Sequence, residues 1–209
     1  MAKVKISKKS TKIDMTAMCD VAFLLLSFFI MTSTAKVPEP KPVDTPASTV
    51  QAKLPEHDLA TITIGDSAVF FSMTDRDLRV KTLEIMADKY GMEFSEDEKS
   101  KFALIDGFGV PLDELKSLIA LPGAERNKEG LQKGIPYETP ADSTKKSQLG
   151  DWVLSSREAL VELRTKDLKF AIKADGKEKY PTVKKVLDMM QKQEVNNFYL
   201  VTGLRSEDF

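Results

Sequence analysis

One carboxylate in an otherwise apolar run is the group in this chain best placed to do chemistry. From Met15 to Ala35 there are 21 residues without Lys, Arg, Glu, Gly or Pro, and the single charge among them is Asp20. An acid in hydrocarbon costs about 2.5–3.5 kcal/mol at the centre of a spanning helix, so such residues face protein or water and are kept for a function. Leaving water penalises the charged carboxylate. An aspartate at that depth can therefore carry a proton, neutral against apolar surroundings and charged against water or a donor. Each charge crossing the membrane potential yields about 2.3 kcal/mol per 100 mV, enough to bias a moving part.

The neighbours of Asp20 fit that chemistry. At about 100° per residue, Thr16, Ser27 and Thr34 project within about 40° of Asp20 on a helix. Val21, Ala22, Leu25, Phe28 and Phe29 form the other side. A polar stripe on an apolar helix implies a partner or a water-filled crevice along it. Ser and Thr can equally bond their own backbone; that reading suffices for Thr34 alone, but it does not account for Asp20.

Other reactive side chains offer less. Cys19 is the only cysteine, which rules out an intrachain disulfide and multi-cysteine metal sites; on a different helix face from Asp20, it reads as a small apolar filler. His57 is the only histidine, so histidine-based metal and triad arrangements cannot be assembled. Beside a proline-rich stretch it reads as a solvated linker residue. Ser143-Thr144-Lys145-Lys146 matches S-x-x-K, but it sits in a polar loop without S-D-N or K-T-G. Neither a phosphate-binding Gly-rich loop nor G-x-S-x-G occurs. Asp175 and Asp188 flank the last helix and read as turn and surface residues. The expectation is a protein that is not an enzyme and uses no cofactor or metal. A net charge of −1 gives no pull toward nucleic acid.

A helix crosses the hydrocarbon core with about 20 mainly apolar residues, which Met15–Ala35 supplies. Lys3, Lys5, Lys8, Lys9 and Lys12 precede it, whereas from Lys36 to Glu56 lysines and acids balance at three each. Positive residues stay cytoplasmic, so the N-terminus is expected inside and everything after Ala35 outside. A cleaved signal peptide is the competing reading, with Ser33-Thr34-Ala35 as the cleavage site; the internal charge and the length argue against it. A plain anchor from Val21, capped by Asp20, would leave only 15 residues to span.

Beyond the span, Pro38, Pro40, Pro42, Pro46 and Pro55 make residues 36–57 a proline-rich linker. The composition fits an extended, semi-rigid tether or a disordered spacer. Leu59–Met73 reads as a hairpin, Ile62 and Ile64 alternating with threonines up to a Gly65-Asp66 turn. Helices are expected from Thr74 or Asp75 to Gly91, from a Ser95/Glu98 capping box to Leu104, and from Pro111 to Pro122. Gly123–Gly150 reads as loop, followed by a helix near Ser156–Arg164. Leu168–Lys173 alternates as a strand, Pro181 opens a helix, and Phe198–Val201 is a last strand. The fold expected is α/β: a single N-terminal transmembrane helix, a proline-rich tether, and a small α/β domain over 58–209 with a helical insert at about 75–151. Residues 1–12 form a cytoplasmic tail and 13–35 the helix.

The run Ile13-Asp14-Met15-Thr16-Ala17-Met18-Cys19-Asp20-Val21-Ala22-Phe23-Leu24-Leu25-Leu26-Ser27-Phe28-Phe29-Ile30 resembles the signature of the ExbD/TolR biopolymer-transport family. Near the end of the chain, Leu168–Asp175, the apolar series Val183, Val186 and Leu187, and Phe198–Thr202 are similar to the same family in the same order. The resemblance implies a bacterial inner-membrane protein with a periplasmic C-terminal domain, acting as a homodimer inside a ring of ExbB/TolQ-like channel subunits. It implies that Asp20 carries the proton and that helix motion passes to a TonB- or TolA-like protein. The output would then be TonB-dependent outer-membrane transport or TolR-like envelope maintenance; a passive anchored scaffold is the reading from another class. Two departures stand out. Ala17 occupies a position where the family commonly has proline, and residues 75–151 have no counterpart in its short members.

Overall fold

The structure, a computed structural model, describes residues 15–33, 39–48, 53–128, 130–138 and 147–204. It divides into two units, Met1–Val37 and Pro38–Phe209.

The first unit holds helix α1, Met15–Thr32, 18 residues in which no side chain is buried. At 1.5 Å per residue it is about 27 Å long, close to the thickness of a bilayer's hydrocarbon core. Its length and apolar composition suffice to cross a membrane.

The second unit is a mixed α/β domain. Its elements are β1 (Ala47–Ser48), β2 (Leu59–Gly65), β3 (Ala68–Met73), α2 (Arg76–Tyr90), α3 (Glu96–Phe102), β4 (Gly107–Phe108), α4 (Leu112–Ala120), α5 (Gly123–Arg126), α6 (Gln148–Arg164), β5 (Lys169–Ala174), α7 (Tyr180–Lys192), β6 (Phe198–Val201) and β7 (Gly203–Leu204). The main sheet runs β4-β3-β2-β5-β6, with β1 and β7 forming a separate parallel pair. β2 is antiparallel to β3 and parallel to β5, which is parallel to β6. The fold class expected from the sequence is the one observed.

Alternation sets the register. Ala60, Ile62 and Ile64 of β2 are fully buried, while Thr61 and Thr63 are half-buried. Ile62 stands opposite Phe71 on one side and Ile172 on the other. A one-residue slip would place threonines in the core and isoleucines outside, so the register is strongly specified. Leu78, Leu83 and Met86 of α2, Trp152, Val153 and Leu160 of α6, and Val186 and Met190 of α7 join these strands in one core. Each fully buried Leu, Ile or Phe contributes about 1.5–3 kcal/mol relative to exposure.

Several local signals work as written in the sequence. The Ser95/Glu98 capping box is present in full. Gly91 ends α2 in the left-handed region, at φ 63°. Pro111 precedes α4, which stops before Pro122. The hairpin turn is centred one residue later than expected, on Asp66 and Ser67, with φ of 52° and 59°. Two left-handed residues are what a two-residue hairpin loop requires, and Asp is among the residues that tolerate them. The second helix ends at Phe102, leaving Leu104 60% exposed in the turn that follows.

The stretch read as loop, 123–150, holds more order. α5 occupies Gly123–Arg126, Ile135 is buried, and its N–H donates to the Val69 carbonyl. α6 begins at Gln148, eight residues before the expected start, because Ser147 Oγ accepts from the Gly150 N–H. That cap satisfies a first-turn donor and offsets much of the cost of a helical glycine.

Part of the proline-rich segment lies against the domain. Residues 39–48 alternate between half-buried and exposed along most of their length. The Gly176 N–H donates to the Asp44 carbonyl and the Gly203 N–H to that of Pro46. Lys173 pairs with Glu39 and Lys41 with Asp66. Gly65 leaves room for Val43, since a Cβ there would lie 2.7 Å from its Cγ1.

Candidate functional site

Asp20 lies in the second turn of α1, about 8 Å along the axis from Met15 at 1.5 Å per residue. Its side chain is exposed in the isolated helix, as are its flanking apolar residues: Phe23 is 71% and Leu24 63% exposed. No side chain of this apolar helix is buried, and an exposed apolar surface of this kind is suited to lipid or to apolar packing. Thr16 and Ser27 share the helix face of Asp20 by spacing. Ser27 Oγ donates to the Leu24 carbonyl at 2.9 Å, the local bond that serine makes inside helices. Thr32, off that face, does the same to Phe28 at 2.8 Å. Thr34 lies outside the described residues, as do the N-terminal lysines and Ser143–Lys146.

The arrangement permits limited but specific chemistry. A carboxylate exchanges a proton without any metal or nucleophile nearby, and the described residues contain no group of three or more His, Cys, Asp or Glu able to hold a metal. Cys19 is a free, exposed thiol. Asp175 takes a structural role: its carboxyl accepts from the backbone of Lys177 at 2.8 Å and of Asp44 at 3.3 Å, and the first of these above all holds it below the usual carboxylate range.

A constellation not anticipated from the sequence surrounds His57. The imidazole is exposed, as a linker residue would be, yet its Nδ1 lies 2.8 Å from Asp75 Oδ1. Arg164, at the end of α6, reaches Asp58, Asp75 and Asp77 together. Asp75 caps α2 by position only, its carboxylate being turned to the chain before β2. A Thr74-Asp75 pair announces a helix start whichever way the side chain turns, so local sequence carried no sign of the cluster.

A lone apolar helix bearing one acid, followed by a small mixed-sheet domain, is the pattern of a single-pass membrane protein. The sequence model of the family described as biopolymer transport protein ExbD/TolR matches residues 7–204. The chain belongs to that family. The match runs through 75–151 as well, so the helical insert lies within the matched region. No curated protein and no solved structure matches the chain. Members of the family are transport-associated rather than enzymatic and work with ExbB/TolQ and TonB/TolA in membrane complexes.

Proposed function

We propose that the protein is a component of a proton-motive-force-driven inner-membrane motor that energises TonB-dependent outer-membrane transport, with Asp20 as the proton carrier. The observation that carries this reading is the isolation of Asp20: the one carboxylate in an 18-residue apolar helix with no buried residue. Such a group is retained against its solvation cost when protonation is the function. ExbB/TolQ-like subunits would cover the helix and supply the crevice on the Thr16–Asp20–Ser27 side. The N-terminus would lie in the cytoplasm and the α/β domain in the periplasm, where it meets a TonB-like protein.

A second copy fits the domain. β6 pairs with β5 alone among the described strands, and Leu200 on it is 60% exposed. An open, apolar strand edge invites pairing, in keeping with a homodimer.

Cells lacking the chain separate the two motor outputs. Loss of energy-dependent uptake of an outer-membrane-transported nutrient, with periplasmic contents retained, supports the TonB-type role. Normal uptake with leakage of periplasmic contents assigns the chain to TolR-like envelope maintenance and a TolA-like partner instead.

A further inference from the structure

The only histidine of the chain stands immediately before the central strand of the sheet. Residues 57 and 58 lead straight into β2, and a cluster of charged side chains engages His57 Nδ1 and the Asp58 N–H and carboxylate. Asp75, its side chain 9% exposed, accepts from His57 Nδ1 with one oxygen and from the Asp58 N–H, at 2.7 Å, with the other. Arg164 Nη1 bonds Asp58 and lies 3.3 Å from Asp75, while its Nη2 donates to Asp77 at 2.6 Å. Lys166 stands 3.8 Å from Asp58. Glu56 is paired outward with Lys53, both highly exposed. Asp58 itself is left-handed, at φ 55°, and its carbonyl accepts from the Lys169 N–H at 3.0 Å. A non-glycine residue in that region turns the chain sharply and holds only when its surroundings fix it.

We propose that His57, Asp75 and Arg164 form an acid-strengthened clamp that fixes the chain where the linker turns into the central strand. The charge arithmetic gives the clamp its direction. Three carboxylates, Asp58, Asp75 and Asp77, surround one guanidinium and one ammonium, so the cluster has a net negative charge until His57 is protonated. A protonated imidazole supplies the missing charge and turns its hydrogen bond to the Asp75 carboxylate into an ion pair.

The hydrogen bond to Asp75 is the largest influence on His57 and raises its pKa above the usual 6.5. Its contribution is fully present below 6.5 and fades as pH rises through the higher folded value. Burial pushes the Asp75 carboxyl up, but the Asp58 N–H, His57 and Arg164 outweigh it and hold the carboxyl below its usual 3.8. The Asp75 contribution is therefore present above 3.8 and lost as pH falls through the lower folded value. The clamp is tightest between those two titrations and loosens as pH rises through the folded value of His57.

The sole histidine makes the test direct. The full-length protein in lipid nanodiscs, carrying a histidine-ring isotope label, gives one imidazole signal that needs no assignment. The proposal expects that signal to titrate above 6.5 and to move down in Asp75→Asn. It also expects the protection factor of the Asp58 amide to rise as pH falls through the same midpoint, and His57→Gln to abolish that rise. Fluorescence of Trp152, the only tryptophan, reports whether each variant keeps its core. If Asp75→Asn unfolds, His57→Gln decides alone, because an exposed imidazole can be replaced without disturbing the core. Titration of His57 at or below 6.5 in the wild type overturns the clamp, as does an Asp58 protection factor that ignores pH or keeps its pH dependence in His57→Gln. None of these readouts involves uptake, so the outcome is independent of the role of Asp20.

Discussion

Tyr90 Oη donates to Asp151 Oδ2 at 2.7 Å, joining the last residue of α2 to the first turn of α6 across 61 positions of sequence. Lys89 grips the other oxygen of the same carboxylate, which is almost fully buried. The intervening chain, α3 to α5, is thereby closed into a loop whose two ends are tied together. Phe102 and Phe108 from that stretch enter the same core as the sheet. The insert is an integral layer of the domain rather than an appendage hung from it.

Removing the Asp151 charge should therefore be felt throughout the domain. Bonds to a charged group contribute about 1.5–3 kcal/mol each, though Lys89 is partly exposed and its share is reduced by solvent. Asp151→Asn is expected to lower stability by about 1–3 kcal/mol in denaturant titration. Burial first, and then Asp151, push the Tyr90 hydroxyl upward from its usual 10.0. The sign follows: this contribution is complete below pH 10 and is lost as pH rises through the higher folded value. Wild type should lose stability above pH 10 more steeply than Tyr90→Phe.

Trp152 packs edge-on against Phe108, ring centroids 4.8 Å apart, with Phe102 at 5.4 Å from Phe108. All three are essentially inaccessible. Phe108→Ala leaves a cavity in this cluster and should cost about 3–5 kcal/mol, measured as a shift in denaturation midpoint at constant slope.

Two glycines in the left-handed region should respond differently to the same change. At Gly91, φ 63°, a Cβ meets open space, whereas at Gly134, φ 98°, it would lie 2.9 Å from the Val69 nitrogen and the Ala68 Cβ. Gly91→Ala pays for conformation alone, about 1 kcal/mol. Gly134→Ala adds a clash with the backbone of β3 and should cost at least about 1–3 kcal/mol. Equal midpoints for the two variants would show that the 134 loop gives way freely.

What was legible in the sequence is what local chemistry determines. The span around Asp20, the β2–β3 hairpin, the Ser95/Glu98 box and the β5–α7–β6 series each announce themselves within a few residues, because period, cap and turn are local quantities. The early half of α6 was hidden by Gly150, whose helical cost is offset by a bond from its N–H to Ser147. The course of residues 39–48 over the domain was hidden because proline content sets stiffness and not which surface a segment meets. Val43 settles beside Gly65 through space that only a distant glycine leaves. The His57 cluster depended on Arg164, more than a hundred residues away, and no spacing rule links the two.

The most direct test of the central claim is energy-dependent uptake of an outer-membrane-transported nutrient in cells carrying Asp20→Asn, with Asp14→Asn and wild type compared at equal protein level. Asp20→Asn alone is expected to abolish uptake, since asparagine keeps the shape and polarity of the side chain but cannot exchange a proton. Uptake and envelope integrity both unchanged in Asp20→Asn would contradict it, leaving α1 as an anchor and nothing more.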